Sequence, residues 1–191
     1  GNPGTVARGP PLAGPHAIFT RAAQPAALQT ERTRRGMSFC RLFDGDNILL
    51  DLERTTKEEA LEEMVDHLAG IGRLKKNQAR PLLESVLQRE QQGSTGIGKG
   101  VALPHAKHAG LKEIVPLFAR STKGIDFDAP DHKPVRVFFL VLSPEDKPEE
   151  HIKFLRWLST LAREADFRSF VGQAGSVKEL QGLLQEFGGE E

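Results

Sequence analysis

Apolar residues recur along residues 37–191 with two distinct periods, and the switches between them predict the elements. Leu61, Met64, Val65 and Leu68 fall at helical spacing behind Thr56-Lys57-Glu58-Glu59, a capping-box sequence, and Gly70 supplies the stop. A second helix is predicted over 77–91, with Leu82, Leu83, Val86 and Leu87 on its buried stripe and Gly93 beyond it. Gly96, Gly98 and Gly100 then break the chain ahead of a short extended run, Val101-Ala102-Leu103-Pro104. Two longer strands follow. The one over 114–119 contains Pro116, whose missing N–H places that position on a sheet edge or at a bulge. The one over 135–142 is apolar on both faces apart from Arg136, the pattern of a central strand covered from both sides. Asp128-Ala129-Pro130-Asp131 between them is turn chemistry and predicts a hairpin. Pro148 opens a helix reaching about residue 165, and Ser176-Val177-Lys178-Glu179 caps a last one with a stripe of Val177, Leu180, Leu184 and Phe187. Helices interleaved with strands predict an α/β fold, a single-domain sandwich in which a mixed β-sheet is flanked by helices on both faces.

Residues 1–36 break this pattern. They hold five prolines and five glycines and show neither period, so disorder is the expectation. The stretch is Arg-rich and acid-poor, as a targeting peptide would be, but it lacks the apolar region of a secretory signal. The composition changes at Met37, which predicts an upstream extension at 1–36 and a folded domain at 37–191. Charge adds one point. The whole chain balances 26 basic against 26 acidic residues, but the leader takes five arginines and one acid, leaving 21 basic and 25 acidic residues for 37–191. A body with that net negative charge offers no basic footprint for nucleic acid. Its longest apolar run, 137–142, is far short of the roughly 18 residues of a membrane helix, so direct membrane insertion is not expected. Cys40 is the only cysteine, which excludes an intramolecular disulfide and a thiolate zinc site and points to a cytoplasmic setting.

The segment richest in chemistry is Ser94-Thr95-Gly96-Ile97-Gly98-Lys99-Gly100-Val101-Ala102-Leu103-Pro104-His105. Alternating glycines let backbone N–H groups face an anion, which makes Thr95, Gly96 and Gly98 candidate support for a phosphate; a purely structural loop is the competing reading. The segment ends in a histidine placed just after a strand and a proline, where an imidazole can stand exposed at a sheet end. Neutral imidazole, with a pKa of about 6.5, can attack phosphorus without a separate base. Phosphoryl transfer then needs in-line positioning and positive groups around the equatorial oxygens. Arg89 lies seven residues after Leu82 on the stripe of its helix, which ends just before the glycines; it either points to that loop or snorkels to solvent. His151, in the first turn of its helix, shares a face with Leu155, Leu158 and Ala162, so it turns towards the core, and that helix N-terminus favours a bound anion. A half-buried structural histidine is the competing reading. His108 follows His105 by three residues, so His105, His108 and His151 could also hold a metal in a hydrolase; residues 105–110 read as a loop with no acid to complete that shell.

These residues together resemble the mannitol/fructose-class enzyme IIA domains of sugar phosphotransferase systems, a class that includes nitrogen-regulatory members. The resemblance extends over essentially all of 37–191. Besides STGIGKGVALPH it includes DGDNILLDLERTTKEEALEEMVDHL, LLESVLQRE, GIDFDAPDHKPVRVFFLVLSP and PEEHIKFLRWLSTLA. It implies a mixed sheet of about five strands and no cofactor. It also implies that His105 is phosphorylated by the small phosphocarrier HPr or its nitrogen-branch counterpart. Arg89 and His151 match the family's active-centre arginine and second histidine. In transport members the group passes on to a IIB cysteine. Cys40 has no matching phosphate loop here and no IIB or IIC segment is present, so donation would be in trans or absent. Three functions are therefore carried forward: a regulatory phosphocarrier, a sugar-transport enzyme IIA, and the metal-dependent hydrolase.

Overall fold

Nine consecutive residues, Val135–Ser143, form a strand in which only Arg136 is exposed, and the rest of the domain is layered around it. The computed structural model describes Gly1 and residues 39–189; the disorder expected of the leader lies outside the described residues. After a short 3-10 turn at Phe39–Leu42, the elements are β1 (Ile48–Leu49), α1 (Lys57–Gly70), α2 (Lys76–Gln91), β2 (Gly96–Gly98), β3 (Val101–Ala102), β4 (His105–Lys107), β5 (Val115–Ile125), β6 (Val135–Ser143), α3 (Pro148–Arg163), α4 (Ala165–Gln173) and α5 (Val177–Gly188). The sheet runs β1-β5-β6-β3-β2, with β4 also paired to β6. β5 and β6 are antiparallel, whereas β3 and β4 run parallel to β6 in one continuous register, Val101 opposite Val137 and His105 opposite Val141. The sheet is mixed and has six strands, one more than expected, because Leu103-Pro104 divides the 101–107 segment into two pieces.

Alternation along β6 divides the interior into two cores. Phe138, Leu140 and Leu142 face α1 and α2, packing with Leu61, Met64, Leu68, Leu82 and Val86. Val137, Phe139 and Val141 face α3–α5 and an aromatic cluster that includes Phe43, Phe154, Trp157 and Phe167. Each such side chain, once fully buried, contributes about 1.5–3 kcal/mol of transfer free energy. Trp157 Nε1 donates to the Gly188 carbonyl at 2.7 Å, and a Cβ on Gly188 would stand 2.8 Å from the indole, so α5 can dock this closely only through a glycine.

Several local expectations are met in modified form. α1 starts where the Thr56 sequence predicts, but Thr56 Oγ1 donates to the Glu59 carboxylate at 2.8 Å, and its side chain does not cap a backbone N–H. Ser176 does cap α5, accepting from Glu179 N. Pro116 sits where β5 has lost its short neighbour β1: its carbonyl faces outward and accepts from Asn47 Nδ2 at 2.9 Å. β5 runs on to Ile125, well past the 119 expected, and the helix from Pro148 ends at Arg163, with a separate α4 following. Among the described residues no helix is long and apolar enough to cross a membrane.

Candidate functional site

His105 opens β4 instead of standing beyond the sheet end, because β6 reaches past it: Val141 N donates to the Pro104 carbonyl at 2.9 Å, and the pairing continues to Lys107. The 105–107 stretch is therefore strand, not loop. The half-buried ring is fixed by its own chain. His105 Nδ1 lies 2.8 Å from the Leu103 carbonyl, which can only accept, so the proton sits on Nδ1 and the lone pair on Nε2. Leu103 is itself held, its N–H donating to the Thr95 carbonyl at 3.0 Å.

Arg89 reaches this lone pair from the last turn of α2. Its Nε donates to His105 Nε2 at 3.2 Å and its Nη1 to the Gly93 carbonyl at 2.9 Å. Of the two readings open from sequence, the guanidinium takes the inward one. Burial, then the neighbouring charges of Arg89 and Lys107, hold the His105 pKa below the ordinary imidazole value; the Leu103 carbonyl and the Glu90 carboxylate pull it the other way. A neutral ring whose lone pair is held only by a long bond from a displaceable side chain is a nucleophile at neutral pH.

Glu90, beside Arg89, had no role in the sequence reading. It is buried and accepts from Thr95 N at 3.0 Å and from Thr95 Oγ1 at 2.6 Å. Lys57 Nζ from α1 pairs with it at 3.3 Å. This carboxylate ties the end of α2 to Thr95, whose carbonyl in turn holds Leu103 two residues before His105, so it sets where Arg89 stands. A signal existed: Glu90 lies four residues after Val86 on an apolar stripe, where a solvated acid has no place.

His151 lies on the opposite wall, 4% exposed, its ring centroid 5.5 Å from that of His105. Its Nδ1 meets Ser143 Oγ, the last residue of β6, at 2.8 Å, which leaves Nε2 for a ligand. Burial, with the charges of His105 and Lys107 adding to it, lowers its pKa to about 4. The helix end behind it offers an anion less than the spacing suggested. Pro148 brings no N–H, and Glu149 and Glu150 already place carboxylates in that turn. The two rings and Arg89 border a cleft of 580 Å³, together with Lys107, Ile152 and Leu155.

The glycines do something else. Gly96–Gly98 is an edge strand paired to β3, and a Cβ on Gly96 would strike the Ala129 side chain at 2.9 Å. Gly98, at φ +81°, abuts the Asp131 carboxylate, which accepts from Lys99 N at 2.7 Å. The anion facing this loop is thus the protein's own. Of the three residues expected to support a phosphate, Gly96 and Gly98 pack against the β5–β6 hairpin, and Thr95 acts through Glu90 and Leu103.

His108 is not gathered into the site: its Nδ1 accepts from Gly110 N at 2.9 Å. Among the described residues no three His, Cys, Asp or Glu side chains are arranged to hold a metal ion, so the geometry gives the hydrolase reading no ligand set.

Comparison with known proteins points the same way. Residues 41–187 match the family described as phosphoenolpyruvate-dependent sugar phosphotransferase system, EIIA 2. A fructose-specific EIIA component of Haloferax volcanii is 37% identical over 140 residues, which is 72% of this chain and 90% of that protein. A nitrogen regulatory protein of Bradyrhizobium diazoefficiens is 40% identical over 119 residues, 62% of this chain and 76% of its own length. The crystal structure of the nitrogen regulatory protein IIA-Ntr from Neisseria meningitidis superposes with a TM-score of 0.68 at 33% identity, covering 78% of this chain and 99% of that one.

Proposed function

The chain belongs to the EIIA 2 family of the phosphoenolpyruvate-dependent sugar phosphotransferase system, and from that premise we propose that it carries its phosphoryl group on Nε2 of His105. The observation that carries this reading is the pair of contacts on one ring: a carbonyl holds the proton at Nδ1 while a guanidinium waits at Nε2. The phosphoryl donor is a phosphohistidine protein of the HPr type. The Nε2 lone pair attacks phosphorus, the N–P bond of the donor breaks, and the donor's imidazole leaves with that electron pair. His105 keeps its Nδ1–H on the Leu103 carbonyl, which disperses the positive charge the ring acquires. Arg89 exchanges its Nε2 contact for the phosphoryl oxygens, and His151, with Ser143 donating to Nδ1, presents Nε2–H to another. Ile152, 53% exposed, and Leu155 give the cleft an apolar rim for a protein donor.

The reaction is tested by incubating the chain with phosphorylated HPr and measuring acid-labile phosphate. Full labelling of His105→Gln would refute the assignment.

We favour a regulatory role, in which the charge added at His105 changes what the cleft can bind. The identity to the Bradyrhizobium protein and the overlay with IIA-Ntr support it. The Haloferax relative supports a second reading, in which the group passes in trans to a IIB cysteine. Presenting the phosphorylated chain to the IIB domains of its host separates the two: transfer to one of them establishes transport, and transfer to none leaves regulation. Either role is carried out in the cytoplasm, where the donors are.

A further inference from the structure

Arg120 is the most unusual charge in the domain. It lies in the middle of β5, 8% exposed, opposite Val137. Its Nη1 donates to the carbonyls of Val171 at 3.0 Å and Ala174 at 2.5 Å, so it caps the C-terminal end of α4. That explains one nitrogen. Its Nε is buried with no partner, the one such side-chain atom among the described residues. A buried guanidinium is costly unless an anion faces it, and an unmade charged hydrogen bond adds to that cost.

Arg120 lines a pocket of 200 Å³ whose other charged walls are Lys99, Arg136 and Arg168. Among the described residues none of the four makes an ion pair with a carboxylate. Arg136 donates to the Thr122 carbonyl and Arg168 Nη1 to the Ala162 carbonyl at 2.7 Å. The nearby Asp51 is occupied by Thr122, through N at 2.7 Å and Oγ1 at 2.8 Å. Ser121 and Thr122 complete the lining, and Gly172 opens the α4 wall, where a Cβ would meet nothing within 4 Å. Four cations with no acid among them, around a cavity too small for a drug-sized ligand, match a single phosphoryl group carrying few other atoms. The His105 register lies four residues further along β6, about 13 Å away, so this is a separate site.

We propose that this pocket binds a small phosphate-type oxyanion, either free phosphate or a short phosphate monoester, as a ligand distinct from the phosphoryl group at His105. It rests on the arginines alone and not on the assignment of His105.

The test is calorimetric titration with inorganic phosphate and with glycerol 3-phosphate, at constant ionic strength set by chloride. One-to-one saturable binding is expected, weakened about 10- to 100-fold in Arg136→Gln and in Arg168→Gln, whose side chains lie outside the core. His105→Gln should bind as the unmodified chain does. Gly172→Glu, which supplies a tethered carboxylate, should abolish binding and raise Tm. Tighter binding of the ester identifies a metabolite site, and equal binding a site for phosphate itself. No saturable binding in the millimolar range, or binding lost in Arg89→Gln and untouched by Arg168→Gln, overturns the proposal.

Discussion

At residues 141–143 of β6 one guanidinium stands beside two neutral imidazoles in an open cleft. At residues 135–137, four cations surround a small pocket without an imidazole or an acid. We propose phosphate for both ends and a bond to phosphorus only at the first, because only there does a lone pair face the cleft. Cations alone hold; a cation placed on a nucleophile's lone pair can transfer. Glu90, the buried carboxylate behind the first end, marks the same division. It is turned away from the cleft to anchor α2, while the arginines at the second end rest on carbonyl oxygens.

The sharpest way to separate the ends is His105→Gln. Phosphoryl acceptance should fall to nothing while phosphate affinity at the arginine pocket stays unchanged, as read by labelling and calorimetry on one sample. Next, Arg89→Gln should slow transfer roughly 10²-fold in rapid-quench kinetics, the cost of removing one preorganised donor to developing charge. Arg168→Gln should leave that rate alone. If the two variants exchanged effects, the division would be wrong. Acid offers a third contrast. His151 is held at about 4, below an unfolded value of about 6.5, so between those pH values the unfolded chain binds a proton that the folded one refuses. Stability should therefore fall as pH drops from 7 to 5, by about 1 kcal/mol from this group after solvent screening. Denaturant unfolding of His151→Gln should show a shallower decline. The smallest effect is expected of Glu90→Gln, which keeps one acceptor for Thr95 but loses the charge facing Lys57. A loss of about 1 kcal/mol should appear, with slower transfer if Arg89 shifts with the end of α2.

How much of this was legible depended on whether a feature is local. The strand at β6 is written as an unbroken apolar run and the buried stripe of α1 in a period of 3.6, and both folded as read. Arg89 and His151 were readable because each stood on the buried face of a helix, where a polar residue needs a reason, and His105 because it followed a glycine-rich run, a strand and a proline; the resemblance joined the three. The short α4 escaped because its nine residues bury only Phe167 and Val171 and leave Phe170 at the surface, too few points to define a stripe. β4 read as loop because Pro104 precedes it and Gly110 follows closely; its pairing comes from β6, more than thirty residues away. The glycine loop misled for the same reason, since the carboxylate it faces, Asp131, arrives from a distant turn. Nothing in the sequence announces which carbonyl will hold the His105 proton.

That carbonyl has a consequence for the product. With the pros nitrogen engaged by the Leu103 oxygen, only the tele nitrogen is open to phosphorus, so the proposed adduct forms as one regioisomer. An antibody raised against tele-phosphohistidine should recognise the charged protein, and one raised against the pros form should pass it by.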